Sequence, residues 1–532
     1  MKQKLPFLFV FLWTISGLTG QSISDFDLSA VRQNQEEFLQ IRANDVQGEQ
    51  EFWINGDTQK LMFNQGVAQI PINLTKVGKL FVVKQSKKIK IYHFAKRSNG
   101  TIRSQHIPIW LSIIPPLMAI ILALGFKEVV VSLFSGIWAG AFIAGGLRID
   151  SLFYFIQSFW HVLTKYIVQG LYDTGHISVL VFSVLIGGMV AIISRNGGMA
   201  GVVKSLTKYA KTPRSAQLIT WVLGVAIFFD DYANTLIVGN TMRPVTDRFK
   251  VSREKLSYIV DATAAPVSAI AFVTTWIGAE LGYIDSGLTG LEHFSSDLTP
   301  YAIFLASLKY SYYPLFTLIF MLLIIRSGRD YGPMYRAEYR ARTTGAVSSV
   351  SDVNVNTEDM EDLTPIEGAP LKWYNAALPV LTVVLVTLYG LIHTGMEVIG
   401  TDLAEKGIRL PNENWGTIWS KIGLLTNEPN AGAVIKVGKV IGSADSYVAL
   451  LWASVSGILV ATILTVGARI MNIKRTMDTL LMGFKAIMPA VVILTLAWAL
   501  AMTTNELHTA DFLTEIMRDS ISPYFVPPII FI

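Results

Sequence analysis

The hydrophobic positions along most of the chain fall in uncharged blocks. Each block is close to or above the roughly 20 residues that cross a bilayer as a helix, and short charged loops separate the blocks. From residue 107 onward this pattern predicts an all-α polytopic membrane protein. The predicted spans cover residues 107–125, 129–146, 176–194, 257–284, 304–325, 374–394, 447–468 and 482–502.

The segment before these blocks has a different period. Residues 21–106 alternate apolar and polar positions and are rich in β-branched and aromatic residues, as in 89–94, which predicts a small β domain. At the very start, Lys2 and Lys4 precede an apolar run and then small residues, the order of a secretory signal peptide over 1–20. A membrane anchor that stays attached is the alternative. Either one places the β domain outside the cytoplasm.

Composition narrows the class of protein. The chain is 52% hydrophobic with a mean hydropathy of +0.45, and 16% of it is charged, against roughly 25% in soluble domains. The net charge of +5 is small and confined to loops, so we expect no nucleic-acid partner. The absence of cysteine excludes disulfides and thiolate chemistry. Neither a Walker A loop nor an HExxH motif occurs, so we expect neither an ATP-driven pump nor a zinc protease, and no enzyme or bound cofactor.

The loop charges predict the orientation of the spans. The loops 195–216, 243–255 and 326–342 each carry five basic residues, whereas 285–299 carries none and has three acidic residues. Basic loops face the cytoplasm. Two cytoplasmic loops therefore flank residues 217–242, whose first apolar run has thirteen residues and reaches only about 20 Å as a helix. We predict that 217–242 is a re-entrant hairpin with a polar tip inside the membrane, which requires surrounding protein or a water-filled cavity.

The tip of this hairpin carries the candidate ion site. Asp230 and Asp231 are adjacent carboxylates, followed by Asn234 and Thr235. A carboxylate in a low dielectric binds either a proton or a cation, and Na⁺ prefers oxygen ligands. The pattern predicts a Na⁺ site at Asp230 and Asp231, at which H⁺ competes. The alternative is that one of them caps the returning helix.

The next predicted span contains a second interruption. Pro266 removes a helical hydrogen bond, and a hairpin beside a broken span is a known way to build a midplane ion site. Further candidate ligands in this span are Asp261, Thr263, Thr274, Thr275 and Glu280. Structural alternatives remain for most of these residues. Pro266 could make a simple kink, Asp261 could lie at the membrane interface, and Glu280 could be solvated. Thr274 and Thr275 could hydrogen-bond to their own helix.

Three segments resemble the NhaC-type Na⁺/H⁺ antiporters, namely 228–244, 258–266 and 328–334. The resemblance covers about 107–532. It implies a fold of two inverted repeats, each with a hairpin and a discontinuous helix, in a homodimer in the bacterial cytoplasmic membrane. It also implies cation/proton exchange.

The domain organisation follows from these observations. The first transmembrane repeat would be 107–342, an acidic cytoplasmic linker 343–372, and the second repeat 373–532. Within the chain, 183–222 and 492–532 share the order of apolar span, eighteen-residue step, proline and short apolar run. On this register the chain stops about eight residues before the counterpart of Asp230, so we expect the second repeat to be truncated.

The leading hypothesis is a secondary transporter that exchanges Na⁺ or Li⁺ for H⁺ and serves pH homeostasis. In an alternative with the same fold, an organic anion such as malate or lactate is coupled to Na⁺ or H⁺. A third hypothesis, from another class, is a non-transporting membrane receptor that uses residues 21–106 as its sensor.

Overall fold

A computed structural model describes residues 26–33, 36–43, 48–55, 57–74, 79–85, 88–96, 101–149, 151–228, 231–271, 280–281, 283–284, 287–288, 300–349, 364–408, 414–425 and 432–525. Within these ranges, the side chains at 88, 231–233, 236–237, 240–241, 434–435, 515, 518–520 and 523 are not described. The backbone divides into two compact units, one of Met1–Gly170 with Thr495–Ile532 and one of Leu171–Leu494.

The amino-terminal part of the first unit is made of β-strands. They are β1 (Phe26–Gln33), β2 (Glu36–Ala43), β3 (Gly48–Ile54), β4 (Asp57–Phe63), β5 (Val67–Ile72), β6 (Lys79–Gln85), β7 (Lys88–Lys96) and β8 (Ile102–Ile107). They form a three-stranded sheet in the order β1-β2-β5 and a five-stranded sheet in the order β4-β3-β6-β7-β8. Every named pairing is antiparallel. The predicted N-terminal β region is present.

The rest of the described chain is helical. The helices are α1 (Ile114–Phe126), α2 (Val129–Ala144), α3 (Leu152–His161), α4 (Thr174–Arg195), α5 (Gly198–Thr207), α6 (Pro213–Ala226), α7 (Asp231–Arg248), α8 (Arg253–Ser268), α9 (Pro300–Ser307), α10 (Tyr312–Ser327), α11 (Gly332–Thr344), α12 (Tyr374–Glu405), α13 (Trp415–Lys421), α14 (Ala433–Ser443), α15 (Ser446–Gly467), α16 (Ile473–Glu506) and α17 (Thr509–Ser520). A 3₁₀ turn, Ile109–Ile113, leads into α1, and a π-helical turn, Val162–Ile167, follows α3.

The β strands bury alternate residues. In β2 the buried positions include Leu39 and Ile41, and Leu39 lies opposite Ala30 of β1 and Ile70 of β5. A two-residue period puts these side chains on one face of the sheet. Phe52 of β3 stands edge-on to Phe26, with ring centroids 5.6 Å apart. The alternation seen in the sequence therefore produces the core of this region.

The helices of the first unit pack closely around small residues. A Cβ at Gly136 of α2 would lie 2.7 Å from the carbonyl oxygen of Pro115 in α1, so only glycine permits this approach. A cluster of buried hydrophobic residues in the same unit includes Ile137, Val162, Tyr166 and Ala499. The carboxyl end of α16 thus belongs to the same core as α2 and the π-helical turn.

The second unit has one large apolar core. It includes residues of α4, α6, α7, α8, α12 and α15. Small residues again set the closest approach, since a Cβ at Gly483 of α16 would lie 2.4 Å from the carbonyl oxygen of Gly187 in α4. Close backbone contact at glycine is a common way for membrane helices to associate.

Five helical stretches in the described part of the chain are long and apolar enough to cross a membrane. They are Ile109–Phe126, Thr174–Arg195, Tyr374–Glu405, Ser446–Gly467 and Ile473–Glu506. A bent pair, Pro300–Tyr310 with Tyr312–Thr344, brings the number to six if it is one span. The predicted span 129–146 is a shorter apolar helix, and residues 272–279 and 282 of the predicted span 257–284 lie outside the described residues. The mostly helical architecture with several apolar helices is thereby confirmed.

Candidate functional site: the break between α6 and α7

The helix is interrupted between α6 and α7, and local sequence features set where each of the two helices begins or ends. Thr212 and Ser215 form a capping box at the start of α6, with Pro213 in the first turn. α6 ends at Ala226, and Ile227 has φ −96° and ψ 58°, outside the helical region. α7 begins at Asp231. Fourteen residues give α6 a length of about 21 Å, short of the roughly 30 Å hydrocarbon core. That this pair re-enters the membrane stays a prediction.

Asn234 links the break to α8. Its side chain is fully buried, and its Nδ2 donates to the carbonyl oxygens of Gly224 at 2.7 Å and Thr263 at 3.2 Å. These two bonds fix which end of the amide is nitrogen. The Oδ1 atom is buried and accepts no hydrogen bond within the described part of the chain. An amide oxygen is thus held in place with an unused acceptor.

The approach of α6 to α8 is unusually tight. A Cβ at Gly224 would lie 2.0 Å from the Thr263 hydroxyl oxygen and 2.6 Å from its Cβ. The Thr263 hydroxyl is buried and donates within its own helix, toward the carbonyl oxygens of Ile259 at 2.8 Å and Val260 at 3.1 Å. Ser268 donates to the carbonyl oxygen of Phe228 at 3.5 Å. The close approach of Gly224 to Thr263 and the hydrogen bond from Ser268 to Phe228 both lie near the break between α6 and α7.

The other sequence-predicted site residues fall into two groups. Asp230, Thr274, Thr275 and the side chain of Asp231 lie outside the described residues, and the backbone of Asp231 starts α7. The rest are described. Thr235 and Asp261 are exposed, Pro266 is buried in the last turn of α8, and Glu280 is half-buried. The Oε2 atom of Glu280 has no hydrogen-bond partner among the described residues. The structure therefore brings together Asn234 and Thr263, with Gly224 between them.

A buried ionic cluster, which the sequence did not predict, fixes the opposite end of α8. Lys255 forms an ion pair with Asp330, and their side chains are 1% and 5% exposed. Ser252 caps α8 and gives both its backbone N–H and its hydroxyl to Glu338, at 2.7 and 2.8 Å. Arg342 contacts Glu338 at 3.0 Å. Asp330 lies in the segment 328–334, which resembles the antiporter family. The sequence therefore offered one signal for this cluster, an acidic residue in that segment to which no role had been assigned.

A second ion pair, close to this cluster, also stabilises the start of α8. Arg340 donates to both carboxylate oxygens of Glu254, at 2.8 and 2.9 Å. Burial opposes ionisation of this carboxyl group, but hydrogen bonds from the backbone and from Arg340 lower the pKa of Glu254. Glu254 therefore stays charged at neutral pH and supports the start of α8.

The chemistry available at the break is oxygen coordination. A carboxyl-terminal helix end with freed carbonyl groups, an oriented amide oxygen and a buried hydroxyl oxygen are ligands suited to a hard cation. A neutral oxygen set binds Na⁺ weakly unless a carboxylate joins it. The two residues that would supply that carboxylate are Asp230, within the break in the sequence, and Asp231, the first residue of α7.

Comparison with known proteins adds the family context. Residues 429–532 match the model of the Na⁺/H⁺ antiporter family. A protein of Haemophilus influenzae, described only as uncharacterized, is 29% identical over 429 residues, which are 80% of this chain and 72% of that protein. No solved structure matches the chain. The family match covers α14 to α17 rather than α6 to α8. It supports a cation/proton antiporter at the level of the family and, together with the apolar helices, a multi-pass membrane protein.

Proposed function

We propose that this protein exchanges Na⁺ or Li⁺ for H⁺ across the bacterial cytoplasmic membrane, and that the exchanged ions bind at the break between α6 and α7. The observation that carries the proposal is the Oδ1 atom of Asn234, which is buried, held in orientation and free of a hydrogen bond within the described part of the chain. A buried acceptor left without a partner costs about 1–3 kcal/mol, and a bound cation would remove that cost.

The proposed mechanism is competition at the carboxylates. Asp230 and Asp231 would share one cation with Asn234, and protonation of the pair would release it. Thr263 would contribute hydroxyl or carbonyl oxygen. Thr235 and Asp261 are exposed, so we assign them no direct contact and keep them as residues that shape the entry to the site. Pro266, Thr274, Thr275 and Glu280 would belong to the discontinuous helix that faces the hairpin.

The remaining features of the family resemblance belong to this proposal. We propose that the two halves of the transmembrane region are inverted repeats and that the protein forms a homodimer. The order of elements supports the repeat. α4, α5 and the Pro213 start of α6 follow one another as α16, α17 and the turn Pro523–Phe525 do.

The test uses everted vesicles that contain the protein and a dye that reports ΔpH. Addition of Na⁺ should collapse the respiration-driven gradient, and Asp230→Asn and Asp231→Asn, singly and together, should abolish the response. Asn234→Ala should raise the Na⁺ concentration for half-maximal response by about tenfold, as expected when one oxygen ligand is lost. The half-maximal Na⁺ concentration of the unaltered protein should also rise as the pH falls, because H⁺ competes for the carboxylates.

A second buried asparagine provides the matched control. Asn196 is also fully buried, but its Nδ2 donates to Thr465 at 2.9 Å and its Oδ1 accepts from the backbone of Gly198 at 2.8 Å. Asn196→Ala should lower thermal stability without changing the half-maximal Na⁺ concentration. An equal shift in both variants, or an intact response in the double Asp→Asn variant, would refute the proposed site.

A further inference from the structure

The first unit contains a cavity of about 690 Å³, a size typical of small-molecule sites. One wall comes from the five-stranded sheet and includes Lys79 and His93. The opposite wall comes from the loop after α2, from α3 and from the π-helical turn, with Arg148 and Lys165. Glu506, at the end of α16, completes the lining. None of these residues has a part in the proposed ion site.

The charges on the cavity wall do not balance. Lys79, Arg148 and Lys165 are cations, and Glu506 is the lining carboxylate. Glu506 is already neutralised, because Lys165 Nζ lies 2.7 Å from both of its carboxylate oxygens and the Tyr166 hydroxyl donates to it at 2.7 Å. The Lys79 ammonium lies over the ring of Phe81, 5.5 Å from its centroid, and residues 79 and 81 share the face of β6 opposite to the cavity-lining Leu80 and Val82. Arg148 is therefore the positive charge that remains without a carboxylate on the wall.

Arg148 is oriented as a ligand-binding residue would be. Its guanidinium lies over the ring of Tyr154, 5.3 Å from the centroid, and the Tyr154 hydroxyl donates to the carbonyl oxygen of Phe142 at 3.0 Å. The ring is thus fixed, and its face attracts the guanidinium. The Nε atom of Arg148 is buried and has no acceptor in the described part of the chain. A guanidinium carries its donors in its own plane, where they suit an oxyanion.

The neutral groups of the wall suit a polar ligand. Burial lowers the pKa of His93 to about 4, so this imidazole is uncharged at neutral pH and adds no further positive charge. Asn55 and Gln157 also line the cavity and supply amide groups. The cavity therefore combines polar and apolar wall groups with one uncompensated positive charge, on Arg148.

We propose that this cavity binds a small organic oxyanion, held by Arg148. The shared chemistry is an oxyanion group, which a dicarboxylate or a phosphate monoester can supply. The site is distinct from the proposed Na⁺ site, and its occupancy does not depend on ion exchange.

The test is titration of the purified full chain in detergent, with binding measured by calorimetry and by the thermal unfolding midpoint. Succinate and glycerol 3-phosphate are the two anionic probes, inorganic phosphate tests the oxyanion group alone, and glycerol is the neutral probe. At least one anionic probe should bind and raise the midpoint, and glycerol should not. Binding of succinate alone identifies a dicarboxylate site, and binding of glycerol 3-phosphate with phosphate identifies a phosphate site.

Variants tie the binding to the cavity. Arg148→Gln should weaken binding at least about tenfold, as expected for the loss of a charge-assisted hydrogen bond. Lys79→Gln should not, because the Lys79 ammonium lies over Phe81. Arg148→Lys keeps the charge but loses the planar edge, and it should bind more weakly than the unaltered protein. Arg42→Gln is the matched control, since Arg42 is exposed on β2 and does not line the cavity.

Two results would overturn the proposal. One is the absence of binding heat for every anionic probe at millimolar concentration. The other is equal binding by Arg148→Gln and Arg42→Gln. If Arg148→Gln fails to fold, Arg148→Lys decides the outcome, because it keeps the positive charge and a side chain of similar length.

Discussion

The tight contact between α6 and α8 provides the sharpest test of the proposed site. In Gly224→Ala, the new Cβ would lie 2.0 Å from the Thr263 hydroxyl oxygen. Ordinary contact needs about 3.5 Å, so the two helices would have to separate locally by about 1.5 Å. The hydrogen bond from Asn234 to the Thr263 carbonyl oxygen is already 3.2 Å long, and such a displacement would break it.

The expected magnitude follows from two opposing effects. Overpacking of a tight core costs about 1–3 kcal/mol. Replacing a helical glycine by alanine recovers about 0.5–1 kcal/mol. We therefore expect Gly224→Ala to destabilise the protein by about 1–2 kcal/mol and, because Asn234 is displaced, to raise the half-maximal Na⁺ concentration about tenfold. Thermal unfolding in detergent and the vesicle ΔpH assay measure the two effects separately.

Two further variants separate this mechanism from a general effect of helical alanine. Gly239 lies in α7, and a Cβ there would meet no atom within 4 Å, so Gly239→Ala should leave stability and Na⁺ response unchanged or slightly improved. In a Thr263→Gly background the obstructing atoms are gone, and adding Gly224→Ala should cost nothing further. A double-mutant cycle measures this coupling. The reasoning is refuted if Gly224→Ala and Gly239→Ala behave alike, or if the Gly224→Ala penalty persists in the Thr263→Gly background.

Three other predictions concern stability. Lys255→Met should destabilise the protein by up to about 3–5 kcal/mol because it leaves the buried Asp330 with only the long contact to Arg342, at 3.9 Å, whereas the double variant with Asp330→Asn should recover most of the loss in the thermal midpoint. The pKa of Glu37 is lowered below its usual 4.5 by the hydrogen bond from Lys96, so its contribution is present at neutral pH and is lost as the pH falls through the lowered pKa. Glu37→Gln should accelerate hydrogen exchange of β2 at pH 7, and the difference from the unaltered protein should vanish in strong acid. Gly483→Ala should cost about 1–3 kcal/mol by clashing with a carbonyl of α4, and Gly467→Ala, with open space around its Cβ, should not.

Local pattern was sufficient for the strands and for the long apolar helices, but not for the shorter helices such as α5 and α11, which lie in segments predicted as loops. The two-residue period over 21–106 predicted strands, and the structure has β1 to β8 there. Uncharged blocks predicted the apolar helices, because a bilayer-spanning helix must be uniformly apolar whatever it packs against. The polar stretch after residue 229 suggested the interruption between α6 and α7. These features depend on residues close together in the chain.

The contacts that define the site could not be predicted in this way. The Lys255–Asp330 pair joins residues 75 positions apart, and the cavity wall draws on residues from Asn55 to Glu506. Periodicity says which face of a helix is buried but not which partner covers it. Gly224 is a further example. A glycine in an apolar run can have many roles, and only the position of Thr263 against it shows that its role is to permit a close approach of α6 to α8.

Asn234 and Asn196 show why the proposed site depends on contacts rather than composition. Both are fully buried asparagines next to a helix end, and both donate from Nδ2 to a neighbouring element. At Asn196 the oxygen also accepts a backbone hydrogen bond, so the residue acts as a structural cap. At Asn234 the oxygen has no such partner in the described part of the chain, although an apolar residue could fill the position without the cost of about 1–3 kcal/mol for a buried unpaired acceptor. A ligand bound there, as proposed, would account for a polar group at such a cost beside an interrupted helix, a few residues after two aspartates in the sequence. The same residue type at the same burial therefore has a structural role in one place and a proposed cation-binding role in the other.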